Sequence, residues 1–279
     1  MRLGIFAKTF SRPSVEQTLQ AVADAGLSAV QFNLSVLGLP TVPAAVPAEA
    51  ITATREAAAR TGVELAAISG TFNTAHPDPA IRAAGVARFP VLCQTAAALG
   101  IPVITLSSGS RDPRDMWRYH PDNSTDAAWS DSRASLTTLA AIAADHGVTL
   151  AVEPEHANVL ATATLARRML DEIGSPALRI VFDAANLIDP DTATPTSMRS
   201  AITEATTLLG PDLVLAHAKE LTTGRRPAPP GAGLLPWNFI VAALTQAGFT
   251  GPLVIHGLPE PEVPHALRTL QAILRPPGS

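Results

Sequence analysis

The chain has 279 residues, 47% of them hydrophobic, which is ample for one packed core. A formal net charge of −4 and the lack of any Lys/Arg cluster argue against the basic stripe of a nucleic-acid binder. The single cysteine, Cys93, excludes an intrachain disulfide, and no apolar run approaches the roughly 20 residues of a membrane-spanning helix.

Strand and helix signals alternate from the start. Residues 3–7 read as a strand, and Ser14-Val15-Glu16-Gln17 as a capping box that opens a helix over 15–25, with Gly26 as its stop. A strand over 29–32 precedes a helix over 47–61 that ends at Gly62. The strand over 64–68 leads to a helix over 79–99, in which Pro90 predicts a kink and Gly100 the end. Cys93, inside that helix, reads as a small buried apolar side chain. Strands over 103–106 and 149–152 enclose a helix over 128–146 that stops at Gly147. A helix over 162–173 stops at Gly174, and the strand over 179–182 leads to a helix over 196–209 before Gly210. The strand over 213–216, a helix over 237–247 with Trp237 packed at its start, the strand over 253–255 and a helix over 262–274 complete the order.

The strand runs are almost continuously apolar, as expected where a parallel sheet is covered on both faces. The recurring helix–Gly–strand grammar predicts an α/β fold, a single (β/α)8 TIM barrel, with residues 1–279 as one domain because no Gly/Ser-rich linker interrupts them. The N-terminus enters a strand directly, without the basic and apolar regions of a signal peptide, so a cytoplasmic protein is expected. Connections over 33–46 and 107–127 are longer than a barrel requires. The second carries Trp117 and Tyr119, with Trp129 at its edge, and reads as a pocket lid. Segment 222–236, rich in Pro and Gly, reads as a flap.

Four polar residues stand where four apolar runs end: Glu153, Asp183, His217 and His256. In a parallel barrel these ends share one face. Two carboxylates and two imidazoles converging there predict a divalent-metal site, with Mn, Co, Zn or Fe better suited than Mg. Singly, a strand-end acid can cap a helix and a histidine can be purely structural; their occurrence on successive strands favours the site. Glu155, two residues beyond Glu153, is a candidate to orient a ligand or hold substrate. His76 is a candidate catalytic group, with Asn73 beside it for substrate. Lys219 shares parity with His217 and is a candidate to hold a substrate oxygen, with Glu220 as its supporting partner. Arg111 and Trp117 are candidate substrate contacts from the lid, Trp117 by stacking on a sugar; Arg114 and His120 are further lid residues.

The segments Ile68-Ser69-Gly70-Thr71-Phe72-Asn73-Thr74-Ala75-His76-Pro77-Asp78, Val152-Glu153-Pro154-Glu155, Phe182-Asp183-Ala184-Ala185-Asn186-Leu187, Ala216-His217-Ala218-Lys219-Glu220 and Gly251-Pro252-Leu253-Val254-Ile255 resemble those of the xylose isomerase-like sugar phosphate isomerase/epimerase superfamily, over the whole chain. In its epimerases a metal is held by Glu, Asp, His and Glu from the last four strands, and the two glutamates act as acid and base on either face of an enediolate. The resemblance places Glu153, Asp183 and His217 in the first three roles and marks Asn186 as a substrate contact. His256 stands where the fourth glutamate is expected; it can ligate a metal or move a proton but is no carboxylate, and Glu260 lies four residues on as a substitute.

The implied activity is that of a metal-dependent isomerase or epimerase of a small keto sugar or polyol carbonyl compound, with Glu153, His256 and His76 as catalytic candidates. The alternative is a lyase of the same superfamily, resembling inosose dehydratases or enzymes that cleave 3-oxo-glycosides by β-elimination. A non-catalytic sugar-binding barrel is the third reading. A superfamily endonuclease fits poorly, for want of a basic face and further strand-end ligands. The expected partner is a small polyol or sugar, and a homodimer matches common barrel behaviour.

Overall fold

The computed structural model describes residues 1–275. Eight strands, β1 (Arg2–Phe6), β2 (Ala29–Phe32), β3 (Glu64–Ser69), β4 (Val103–Ser107), β5 (Thr149–Glu153), β6 (Leu178–Asp183), β7 (Leu213–Ala218) and β8 (Pro252–Ile255), pair in sequence order as a closed barrel. All neighbours are parallel, and closure is made by β1 against β8, with Leu3 opposite Leu253 and Ile5 opposite Ile255. The helices between them are α1 (Val15–Asp24), α2 (Ala48–Thr61), α3 (Pro79–Leu99), α4 (Asp126–Asp145), α5 (Ala163–Ile173), α6 (Pro195–Leu209), α7 (Trp237–Gln246) and α8 (Val263–Leu274). The fold is therefore the (β/α)8 TIM barrel that the alternation predicts. Among the described residues no helix is long and apolar enough to cross a membrane.

Local chemistry explains where the elements begin. Ser14 Oγ accepts from Gln17 N and starts α1. Thr125 Oγ1 accepts from Ala128 N, so α4 begins at Asp126, before the predicted residue 128. Helix α3 runs unbroken through Pro90. Gly62, Gly100 and Gly174 end their helices in the left-handed conformation, as the stop signals predict. Gly210 does not: its φ is −44°, and it opens a short 3-10 turn where a Cβ would meet Ala247 Cβ at 3.1 Å. There the glycine serves close packing rather than chain reversal.

The apolar side chains form two bodies. The larger fills the space between sheet and helices and includes Phe32, Phe89, Leu136 and Phe182. The smaller lies inside the barrel and consists of Ala67, Val103, Ala151, Val181, Leu215 and Val254, all buried. Strand side chains alternate between these two faces. Glu153, Asp183 and His217 are the fourth or later residues of their strands, within the ladder rather than beyond it, and share parity with the inner layer. They therefore point into the barrel, one pleat above Ala151, Val181 and Leu215.

Candidate metal centre and substrate cavity

Glu153, Asp183, His217 and His256 each bring one donor atom to a common point, with all four atoms within 4.8 Å of one another. His217 Nδ1 lies 3.1 Å from Glu153 Oε1 and 3.7 Å from Asp183 Oδ2. His256 Nε2 lies 3.2 Å from Asp183 Oδ2. The Asp183 side chain is fully buried, and its Oδ1 accepts from Ala185 N at 2.9 Å. Phe6, at the end of β1, stacks on the His256 ring at 4.4 Å between centroids and 11° between planes, which fixes the plane of that imidazole.

The neighbours of His217 decide which of its nitrogens faces the cluster. The Gln31 amide on β2 donates to Ser69 Oγ and to Thr105 Oγ1, both at 2.9 Å. With both N–H groups spent, Gln31 turns its oxygen to His217 Nε2 at 2.9 Å, and that nitrogen must be the donor. The Nδ1 lone pair of a neutral His217 then faces the two carboxylates. Such an outer hydrogen bond orients and strengthens a histidine ligand.

Charge makes the same demand. Burial raises the Asp183 carboxyl, but hydrogen bonds from His217 and His256 outweigh it and hold the group well below the usual carboxylate range. Burial lowers the His217 imidazole, yet the Glu153 charge and the hydrogen bonds to Asp183 and Glu153 overcome it and push the group up to about 9. Burial and the adjacent His217 charge depress the His256 imidazole, against the opposing hydrogen bond to Asp183. Without a metal, a proton on His217 Nδ1 offsets one of the two buried negative charges of Glu153 and Asp183; a divalent cation offsets both through mixed oxygen and nitrogen donors. The donor set therefore fits a divalent metal.

A cavity of about 560 Å³ opens over the cluster. Its wall includes Glu155, Asn186 and Lys219 on one side and Asn33, Ser69 and Thr71 on another, with Trp117 at the mouth, 49% exposed. Asn186 links the parts: Nδ2 donates to Glu153 Oε1 at 2.6 Å, and Oδ1 accepts from Lys219 Nζ at 2.5 Å. Gly257, at φ +74°, stands where a Cβ would come within 3.1 Å of Lys219 Cγ, so its lack of a side chain leaves room for the lysine stem. Glu155 is buried, and its carboxylate accepts no hydrogen bond among the described residues. Burial pushes that carboxyl up to about 7, with Glu153 and Asp183 adding to the rise and Lys219 opposing it.

Five predicted site residues stand elsewhere. His76 is buried below the lid, where Nδ1 accepts from Asp78 N and Nε2 donates to Pro113 O, so both nitrogens are committed to backbone. Asn73 donates to Ser110 O at 2.7 Å and accepts from Ala75 N. Against it packs Gly109, at φ +78°, where a Cβ would collide with Asn73 Oδ1. Arg111 donates to Ala75 O and pairs with Asp131 at 2.7 Å, tying the lid to the connection after β3. Glu220 turns from Lys219 and accepts from Leu221 N, Gly231 N, Leu235 N and Trp237 Nε1, fastening segment 222–236 to α7. Glu260 pairs at the surface with Arg12 at 2.5 Å and does not replace the fourth glutamate. In each case a nearer backbone or charged partner captures the side chain. Arg114 is exposed, and His120 caps a short 3-10 turn by accepting from Asp122 N. Tyr119 is 63% exposed, whereas Trp129 is buried in α4 and donates to Glu172.

Sequence reading missed Gln31, Ser69, Thr105 and Phe6. Gln31 had a legible signal, a lone amide in the buried run Ala29–Phe32. The hydroxyls and the phenyl ring had none, because their types are ordinary in strands.

The profile of the xylose isomerase-like TIM barrel family matches residues 19–275, and the chain belongs to that family. No curated protein shows significant sequence similarity to it. Among solved structures, 3-keto-D-glucoside 4-epimerase from E. coli is similar at 18% identity and a TM-score of 0.76, over 98% of this chain and 99% of that one. D-psicose 3-epimerase from Clostridium cellulolyticum H10, solved with D-tagatose, gives 19% identity and 0.75, over 99% and 100%. An L-ribulose 3-epimerase gives 22% identity and 0.71, over 100% and 88%.

Proposed function

We propose that the protein is a divalent-metal-dependent isomerase or epimerase that moves a proton at the carbon beside the carbonyl of a small keto sugar or polyol. The observation that carries this reading is the meeting of Glu153, Asp183, His217 and His256 at the floor of an open polar cavity. The structural neighbours that are keto-sugar epimerases support it. The four residues would hold the metal, whose charge lowers the cost of the negative charge that develops on the substrate oxygens.

The chain's own groups supply the rest. Lys219, held by Asn186, presents an ammonium to a substrate oxygen at the cavity wall. Glu153 Oε1 is engaged by Asn186 and His217, which leaves Glu155 as the less encumbered carboxylate. In isomerisation Glu155 takes the proton from one carbon at a carboxylate oxygen and delivers it to the adjoining carbon on the same face; in epimerisation Glu155 takes the proton from one face and a second donor, Glu153 or a water molecule, delivers one to the same carbon from the other face. It replaces His76 in the predicted catalytic set. His256, held in plane by Phe6, acts as a ligand.

The presence of His256 in place of a second cluster glutamate favours one further reading, β-elimination from the same deprotonated substrate, because that outcome needs no matched pair of carboxylates on opposite faces.

Ketohexoses and 3-keto-D-glucosides incubated with protein reconstituted with Mn, Co, Zn or Fe in deuterated water test both. Deuterium beside the carbonyl of recovered sugar supports the isomerase reading, and loss of water or aglycone supports elimination. No label and no cleavage across the set, with metal stoichiometrically bound, overturns both.

A further inference from the structure

A second cavity, of about 650 Å³, adjoins the first and shares Phe6, Lys8 and His256 with it. Its character is different. The main cavity mixes carboxylate, amide, hydroxyl and ammonium groups with Leu34, Met116 and Trp117, whereas the second is lined chiefly by Phe6, Pro227, Ala228, Pro229, Leu258 and Pro259, with Thr9 and Glu262 also on its wall. Each volume lies in the roughly 300–1,000 Å³ range that takes a drug-sized ligand. A single free hexose is smaller than such a ligand and carries hydroxyls on nearly every carbon, so it neither fills both spaces nor has an apolar group for the second.

We infer that the substrate is a glycoside: the keto-sugar ring occupies the polar cavity, and an apolar, preferably aromatic, aglycone occupies the second. This rests on the keto-sugar reading above and names its substrate class. The placement follows from the shared ridge. Phe6 presents one face to His256 and lines both spaces, so a group attached to a sugar over the metal cluster meets the ring of Phe6 as it leaves. Lys8, exposed with its ammonium 5.5 Å from the Phe6 centroid, stands at the same ridge within reach of the linking oxygen. The Pro-Ala-Pro run at 227–229 gives the opposite wall a stiff backbone with few free donors, suited to an apolar surface.

The test is calorimetric binding of methyl and phenyl D-glucosides, in both anomers, to the purified metal-loaded protein, since neither ligand carries the carbonyl needed to react. Phenyl glucoside is expected to bind at least tenfold more tightly than methyl glucoside. Ala228→Trp, which fills the second cavity from a loop, is expected to reduce that preference below threefold and to leave methyl glucoside binding intact, which also reports a folded sugar site. Equal binding of the two ligands by the wild-type protein, or none of either, overturns the second subsite, as does an undiminished preference in Ala228→Trp. Deuterium exchange into free ketohexoses and into methyl and phenyl 3-keto-D-glucosides is measured in parallel. Exchange without a phenyl preference removes the glycoside inference and leaves the isomerase intact; a phenyl preference without exchange into any keto sugar removes the isomerase and keeps the apolar subsite.

Discussion

Two layers of the barrel interior, one pleat apart on the same strands, have opposite chemistry. In the lower layer Ala67, Val103, Ala151, Val181, Leu215 and Val254 form one buried apolar cluster. Two residues further on along each strand stand Ser69, Thr105, Glu153, Asp183, His217 and His256, all of which line or form the candidate site. The period of two in a strand keeps both sets on the inner face. The lower layer holds the barrel closed, and the upper layer borrows its rigidity: donors on closed, parallel strands cannot drift apart without breaking the ladder beneath them.

The largest expected effect comes from moving upper-layer chemistry down one pleat. Val181→Asp places a carboxylate among apolar side chains with no partner, and is expected to cost on the order of 4 kcal/mol or more and to leave little soluble, cooperatively melting protein. Soluble yield and thermal denaturation check it; a variant melting within a few degrees of the wild type would mean that the lower layer is not the closed core described.

The reverse case should separate function from fold. Asp183→Asn removes a donor in contact with both imidazoles, and activity is expected to fall on the order of 10³-fold with metal content near zero while circular dichroism is unchanged. Retention of stoichiometric metal by elemental analysis would dissociate Asp183 from the centre.

A smaller change should follow one shell out. Gln31→Leu leaves His217 Nε2 without its acceptor and frees its tautomer, so metal affinity is expected to drop roughly 10–100-fold, read by competition with a chelator. Unchanged affinity would reduce Gln31 to a packing residue.

The smallest effect is one of pH. His217, raised from 6.5 to about 9 in the folded protein, favours the fold through its protonated form. In metal-free protein that contribution is complete below pH 6.5 and is lost as the pH rises through about 9. The melting temperature of metal-free protein should therefore fall over this window, and saturating metal, which takes the place of the proton, should flatten the fall. A metal-free profile that is already flat contradicts the coupling of His217 to the two carboxylates.

What the chain determines by itself is periodic or local. Apolar runs, helix stops and caps place every strand and helix, because burial on both faces of a parallel sheet and the geometry of a helix end act over a few residues. The same logic exposes Glu153, Asp183, His217 and His256, since a polar residue closing an apolar run has few other reasons to be there. Tertiary structure alone decides the long-range partners. His76, Asn73 and Arg111 are polar residues in the right connections, yet backbone carbonyls and Asp131 reach them first. Glu220 is one residue from Lys219, but beyond the end of β7 it turns to Trp237 and the backbone of segment 222–236, away from the metal cluster. Gln31 meets His217 from 186 positions away, and Phe6 meets His256 across the closure of β1 on β8. Such contacts depend on which strands the barrel makes neighbours and on which face each side chain emerges, and competition among acceptors in three dimensions settles them.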